Sequence, residues 1–254
     1  MNLTLASIFK AVLQISLLAL TAGTAIAQDV VTLKVHHFLP PSSTAHAKFI
    51  VPWCDKIAKE SNNRMKCQIY PAMQLGGTPA QLFDQAKDGV ADIIWTVPGY
   101  QAGRFTVSEA FELPFIVTST EKGSRALWHY ATKNAMQEFK GVKPILFHLH
   151  DGNLLHTARK QIKSLEDFRG AKVRAATRQS TKMLTALEAT PVPMPLPQTP
   201  ESLAKGVIDG ALIPWEVSPA LKLEEIAQFH TELDPSSGQI SNSVFIFAMN
   251  PAKY

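Results

Sequence analysis

Two clusters of side chains in this sequence have types and spacing that could do chemistry. His148 and His150 alternate with Phe147 and Leu149, so on a strand both imidazoles face one side, and Asp151 follows directly. With a third ligand such as His156 they would make a metal site, but a zinc centre needs three or four ligands at set spacing. Structural histidines are the expectation here, and no metal is assigned. Glu109 and Glu112 in SEAFELPF could do acid and base work, yet nothing spaces them against a nucleophile. They are expected to hold their loop. The sequence has no GxSxG elbow, GxxxxGK[ST] loop, HExxH pair or glycine-rich dinucleotide turn. No catalytic residue and no cofactor is therefore assigned. Cys54 and Cys67 can form at most one bridge, and the spacing leaves pairing and two buried thiols both open.

The chain has 254 residues, 46% hydrophobic and 18% charged, enough apolar material for one large or two medium packed domains. Its net charge of +4 falls to +3 once residues 1–27, which hold one lysine and no acid, are set aside. So small and scattered an excess excludes a nucleic-acid binder. Lys10, the apolar run AVLQISLLAL and the small residues Ala25 and Ala27 form a secretory signal, with cleavage expected after Ala27. The run is half the roughly 20 residues that a spanning helix needs, so the mature protein is expected to be exported, soluble and not membrane-spanning. In that compartment a disulfide persists.

Strand-like and helix-like segments alternate along the rest. VVTLKVHHF is bounded by Pro40 and Pro41, Ser42 or Ser43 caps a helix to about Ser61, and KCQIY follows. Thr78 and Pro79 open the helix QLFDQAKDG before the strand ADIIWTV. Ser119 or Thr120 starts a helix to about Phe139, followed by the strands KPILFHLH and LLHTAR. DFRGAKVRA is a turn into a strand, QSTKMLTALEA a helix and TPVPM another strand. The pattern predicts an α/β fold with a mostly parallel sheet. TPAQLFDQAKDGVADI at 78–93 and TPESLAKGVIDGALI at 199–213 echo one another, either by chance or because two domains are built alike. Ligands of open α/β sheets collect beyond the carboxyl ends of strands. The ends to inspect are Trp95–Tyr100 and Ile213–Glu216.

Five ordered blocks, YPAMQLGG, FDQAKDGVADIIW, GRFTVSEAFELPF, DFRGAKVRA and VIDGALIPWEVSPA, resemble the DctP-type extracytoplasmic solute receptors of TRAP transporters. The resemblance implies a two-domain periplasmic-binding-protein-like fold, with a cleft that closes on an organic acid and delivers it to the permease subunits in the membrane. It divides the chain into a signal peptide (1–27), domain I (28–157), domain II (158–240) and a strand returning to domain I (241–254). It also implies that Arg174, on the strand after the DFRGAK turn, pairs with the ligand carboxylate. A guanidinium suits this role because two parallel N–H donors match one carboxylate. Lys160 stands where the family carries a second basic residue, and Arg178 could reach the same cleft from the next helix. Phe38, Trp95, Tyr100, Ile213 and Trp215 cluster at predicted strand ends and would give an apolar or aromatic wall. An aromatic or hydrophobic carboxylate is thus expected over a sugar acid. The family normally continues beyond MNPAKY, so truncation at the carboxyl end is a further expectation. A periplasmic enzyme acting on a small acid, or a subunit presenting ligand to a sensor, would be the alternatives.

Overall fold

The computed structural model describes residues 29–254; the expected leader at 1–27 lies outside the described residues. The strands, in chain order, are β1 (Val31–His37), β2 (Met65–Tyr70), β3 (Ile93–Thr96), β4 (Lys143–Leu149), β5 (Leu154–Thr157), β6 (Lys172–Ala175), β7 (Thr190–Pro193), β8 (Gly210–Ile213), β9 (Phe229–Thr231) and β10 (Val244–Met249). They form two five-stranded sheets, ordered β2-β1-β3-β10-β4 and β7-β6-β8-β5-β9. The sheets share one plan. Three parallel strands (β2, β1, β3 or β7, β6, β8) are followed by an antiparallel one, β10 or β5, and then by an edge strand. β3 and β8, which end the two echoing segments, occupy equivalent places, so the echo marks two lobes built alike.

One boundary differs from expectation. β5 was assigned to domain I, but it pairs with β8 and β9 in the second sheet, so the sheets divide between Leu149 and Leu154. The strand LLHTAR carries no local mark of which sheet it joins; that depends on partners more than fifty residues away.

The helices are α1 (Val51–Glu60), entered through a π-helical turn at Ala45–Ile50, α2 (Leu82–Lys87), α3 (Thr120–Tyr130), α4 (Arg178–Ala186) and α5 (Thr199–Ala204). Ser119 caps α3 by accepting from Lys122 N, and Thr177 caps α4 by accepting from Ser180 N. In the first lobe Phe83, Phe105, Phe139, Phe147 and Phe247 are fully buried, each contributing about 2–3 kcal/mol by leaving water. Val173, Ala175, Leu184 and Leu212 make a smaller core in the second. α1 packs on β2 and brings Cys54 and Cys67 to a Cα separation of 5.7 Å, where they form a disulfide. Closing so short a loop stabilises by about 3 kcal/mol in the chain-entropy account.

The chain passes between the lobes at 150–153 and again at 232–243. The two crossings are tied together: Asn153 N donates to Ser241 O at 2.9 Å, and Asn153 Nδ2 donates to Ser241 Oγ at 3.0 Å.

Candidate functional site

The strand ends of the two sheets face one another across a small cavity of about 30 Å³. That is room for one or two water molecules. The first lobe contributes Phe38, Trp95, Tyr100 and Phe245, the crossings His150, Asn153 and Ser243, and the second lobe Arg174, Leu196 and Glu216. Phe38 lies 5.3 Å from Trp95 at an interplanar angle of 17°, and Trp95 lies 4.5 Å from Phe245 at 19°. The three rings form one continuous aromatic wall. Tyr100 meets Phe38 edge-on at 5.6 Å, and its hydroxyl accepts from Leu196 N across the lobes at 3.3 Å. A groove of about 340 Å³ adjoins the cavity and shares Trp95, His150, Glu216 and Phe245 with it.

Arg174 is 3% exposed on β6, and its guanidinium is held from two directions. Nε donates to Met194 O at 3.1 Å and Nη1 to Leu212 O at 3.0 Å, while Nη2 is buried without a partner among the described residues. Burial lowers the guanidinium's pKa, and the Tyr100 oxygen beside it offsets part of that effect. Three of its five N–H groups remain for a ligand.

Of the other expected site residues, Phe38, Trp95 and Tyr100 join Arg174 around the cavity; Ile213, Trp215, Lys160 and Arg178 do not. Ile213 is fully buried inside β8, and it is its carbonyl that is occupied, accepting from His156 Nε2 at 2.9 Å. Trp215 turns outward, 44% exposed, and donates Nε1 to Glu232 at 2.5 Å. Pro214 ends the strand, and the chain enters a 3₁₀ turn at Trp215–Val217, so Pro214, Glu216 and Val217 face the cavity instead. Lys160 is spent on Asp167 at 3.5 Å on an exposed loop. Arg178 reaches across the lobes to Glu109, with Nη2–Oε2 at 2.5 Å and Nε–Oε2 at 3.0 Å, and Gln179 adds a third donor at 3.0 Å. Glu109 is buried at 2% exposure while Arg178 is 34% exposed, so the link between the lobes is buried on its carboxylate side alone.

The histidines are separated as well. His148 accepts from Trp95 Nε1 at 2.9 Å and contacts Leu149 O at 3.0 Å, which occupies both ring nitrogens. His156 lies in the second sheet against Ile213 O and His230. Among the described residues no group of three His, Cys, Asp or Glu side chains could hold a metal ion. His150 is 8% exposed at the cavity, and its Nδ1 contacts the Asp151 carbonyl. Burial, aided by His148 and Arg174, holds its pKa down at about 4, so the ring is neutral.

Glu112 sits one turn from Glu109, fully enclosed, and accepts from Val244 N at 3.0 Å through Oε1; Oε2 has no partner among the described residues. Burial pushes its carboxyl up to about 7, against the Val244 N–H, which favours the ionised form. A carboxyl raised above its unfolded value favours folding while it is neutral. Its contribution is therefore complete below the unfolded pKa and is lost as pH rises through about 7. Glu112→Gln keeps the shape without the charge. It is expected to gain on the order of 3 kcal/mol over the parent at pH 8 and little at pH 4. Urea unfolding at both pH values checks this, and parallel pH profiles for the two proteins would contradict it.

Residues 35–254 match the family described as bacterial extracellular solute-binding protein, family 7. A TRAP solute-binding protein from Rhodoferax ferrireducens T118, solved with copurified benzoate, is 52% identical with a TM-score of 0.87, over 89% of this chain and 70% of that one. A marine-metagenome TRAP solute-binding protein specific for aromatic acid ligands, solved with 3-hydroxybenzoate, is 48% identical with a TM-score of 0.86, over 89% and 70%. The outer membrane transporter protein TsaT of Comamonas testosteroni is 22% identical over 88% of this chain and 65% of its own length. The chain spans between 49% and 65% of the length of TsaT and four other curated relatives it matches. A match over nearly all the described residues, together with the two-lobed fold, settles the kinship: the chain belongs to the family 7 bacterial extracellular solute-binding proteins.

Proposed function

We propose that the chain captures an aromatic carboxylate between its lobes, outside the cytoplasmic membrane, and delivers it to a TRAP-type permease without chemical change. The observation that carries this is the buried Arg174 guanidinium, with an unpartnered Nη2, facing the stacked wall of Phe38, Trp95 and Phe245. A carboxylate satisfies the orphaned donors, and a flat ring satisfies the wall. The two similar structures hold benzoate and 3-hydroxybenzoate, which agrees with that division of labour. Among the described residues no helix is long and apolar enough to cross a membrane, so translocation falls to the partner. Export by the leader at 1–27 belongs to the same proposal.

An engineered cavity of about 150 Å³ holds benzene, so a cavity of about 30 Å³ admits a ring only if the lobes part or the ring extends into the adjoining groove. The ligand is thus expected to enter while the lobes are parted and, once they close, to seat its carboxylate in the cavity and extend its ring into the adjoining groove. Benzoate at a hundred times its Kd should stabilise the protein by about 2.7 kcal/mol. Glucuronate should not, because each hydroxyl left unpaired against the aromatic wall costs about 1–3 kcal/mol. Thermal unfolding with each acid is the test. A shift with glucuronate and none with benzoate would overturn the ligand class, and consumption of the recovered benzoate would overturn the receptor role.

A further inference from the structure

Resting on that reading, we propose that the cavity selects aromatic carboxylates carrying a hydrogen-bond donor, a ring hydroxyl above all, and that His150 reads that donor. The argument is a census of the polar atoms around the cavity. At Arg174 the unmatched atoms are donors: Nη2 has no partner and Nη1 uses one of its two hydrogens. A carboxylate takes these up. On the crossing segments the unmatched atoms are acceptors. His150 Nδ1 faces the Asp151 carbonyl, which can only accept, so Nδ1 carries the proton. In a neutral imidazole Nε2 is then a bare lone pair, and it makes no hydrogen bond among the described residues. Burial beside the Arg174 charge keeps the ring from protonating. Asn153 points the same way: Nδ2 is committed to Ser241 Oγ, and Oδ1 makes no hydrogen bond among the described residues.

Unsubstituted benzoate displaces the water that reaches such an acceptor without supplying a donor in its place. A ligand with carboxylate and hydroxyl on one ring completes both ends of the cavity. His150 is also held in place by an edge-on contact with Phe245 at 5.8 Å and lines both the cavity and its adjoining groove, where a ring substituent has room.

The test is calorimetry with benzoate and the three hydroxybenzoate isomers on the parent and on His150→Phe, which keeps a flat ring and removes the acceptor. At least one isomer is expected to bind the parent about five- to tenfold more tightly than benzoate, from one net hydrogen bond. In His150→Phe that ratio should fall to about one, whatever the variant's affinity for benzoate itself. Benzoate binding with no isomer preferred would overturn this inference and leave the receptor reading standing; no binding of any aromatic acid would overturn both. Nitrogen NMR of the parent gives a check that needs no variant. The His150 Nε2 resonance should move as an acceptor does when the hydroxylated acid binds, and a doubly protonated ring would show that His150 pairs with the carboxylate instead.

Discussion

Arg174→Ala is expected to abolish measurable binding of aromatic carboxylates, with a loss of about 3–5 kcal/mol, some two to four orders of magnitude in Kd. The residue does two jobs with one side chain. Its free N–H groups are the cavity's buried charged donors, so without them a carboxylate leaves water for a site with nothing to receive it. Its Nε and Nη1 satisfy the carbonyls of Met194 and Leu212, tying the segment after β7 to β8. Truncation should therefore also lower the stability of the unliganded protein by about 1–3 kcal/mol for each orphaned carbonyl. Arg174→Lys separates the two jobs. An ammonium keeps the charge but cannot donate to both carbonyls and to two carboxylate oxygens at once. It should retain weak binding, about 1.5–3 kcal/mol poorer than the parent. Calorimetry on the folded variants decides, and unchanged affinity in Arg174→Ala would remove this residue from the site.

How far such a site can be read in advance depends on the sequence distance between its parts. Phe38, Trp95 and Tyr100 were legible as residues at strand ends that apolar runs mark locally, whereas Arg174 came only with the family resemblance that its DFRGAK turn helps to carry. His150, Asn153 and Ser243 were not, because they meet only where β10 returns beside β4, pairing Val244 with Leu149. The resemblance gives the return of 241–254 to domain I, but nothing beside either position says which residues it brings together. Nor were Glu109 and Arg178, 69 residues apart, read as partners; Glu109 was expected to hold its loop and Arg178 to reach the cleft. Trp215 failed for another reason. Strand alternation places it on the same side as Ile213, but Pro214 ends the strand and the 3₁₀ turn brings Glu216 to the cavity instead. The Cys54–Cys67 bridge stayed open because pairing depends on how α1 leans on β2, a tertiary fact.

The proposed capture between the lobes depends on their closing, and one glycine stands where it would control that step. Gly99, in the turn after β3, faces Thr177 of the second lobe so closely that a Cβ there would fall 2.6 Å from Thr177 Cγ2 and 3.1 Å from its Cβ. Thr177 cannot easily give way: it is 4% exposed, and its hydroxyl is committed to capping α4. The strain of Gly99→Ala must then be relieved by moving one lobe against the other, which also loosens the nearby Glu109–Arg178 link. Overpacking of this kind costs about 1–3 kcal/mol, and because only the closed form bears it, the cost appears as a shift of population toward the open form. Affinity for benzoate should fall roughly 5- to 150-fold, and small-angle scattering should show a larger radius of gyration. Thr177→Ser removes the clashing methyl and keeps the capping hydroxyl, leaving 3.1 Å as the tightest contact. Added to Gly99→Ala, it should restore both affinity and compactness. If Gly99→Ala binds as the parent does, or if Thr177→Ser fails to rescue it, then the Gly99–Thr177 contact does not govern closure.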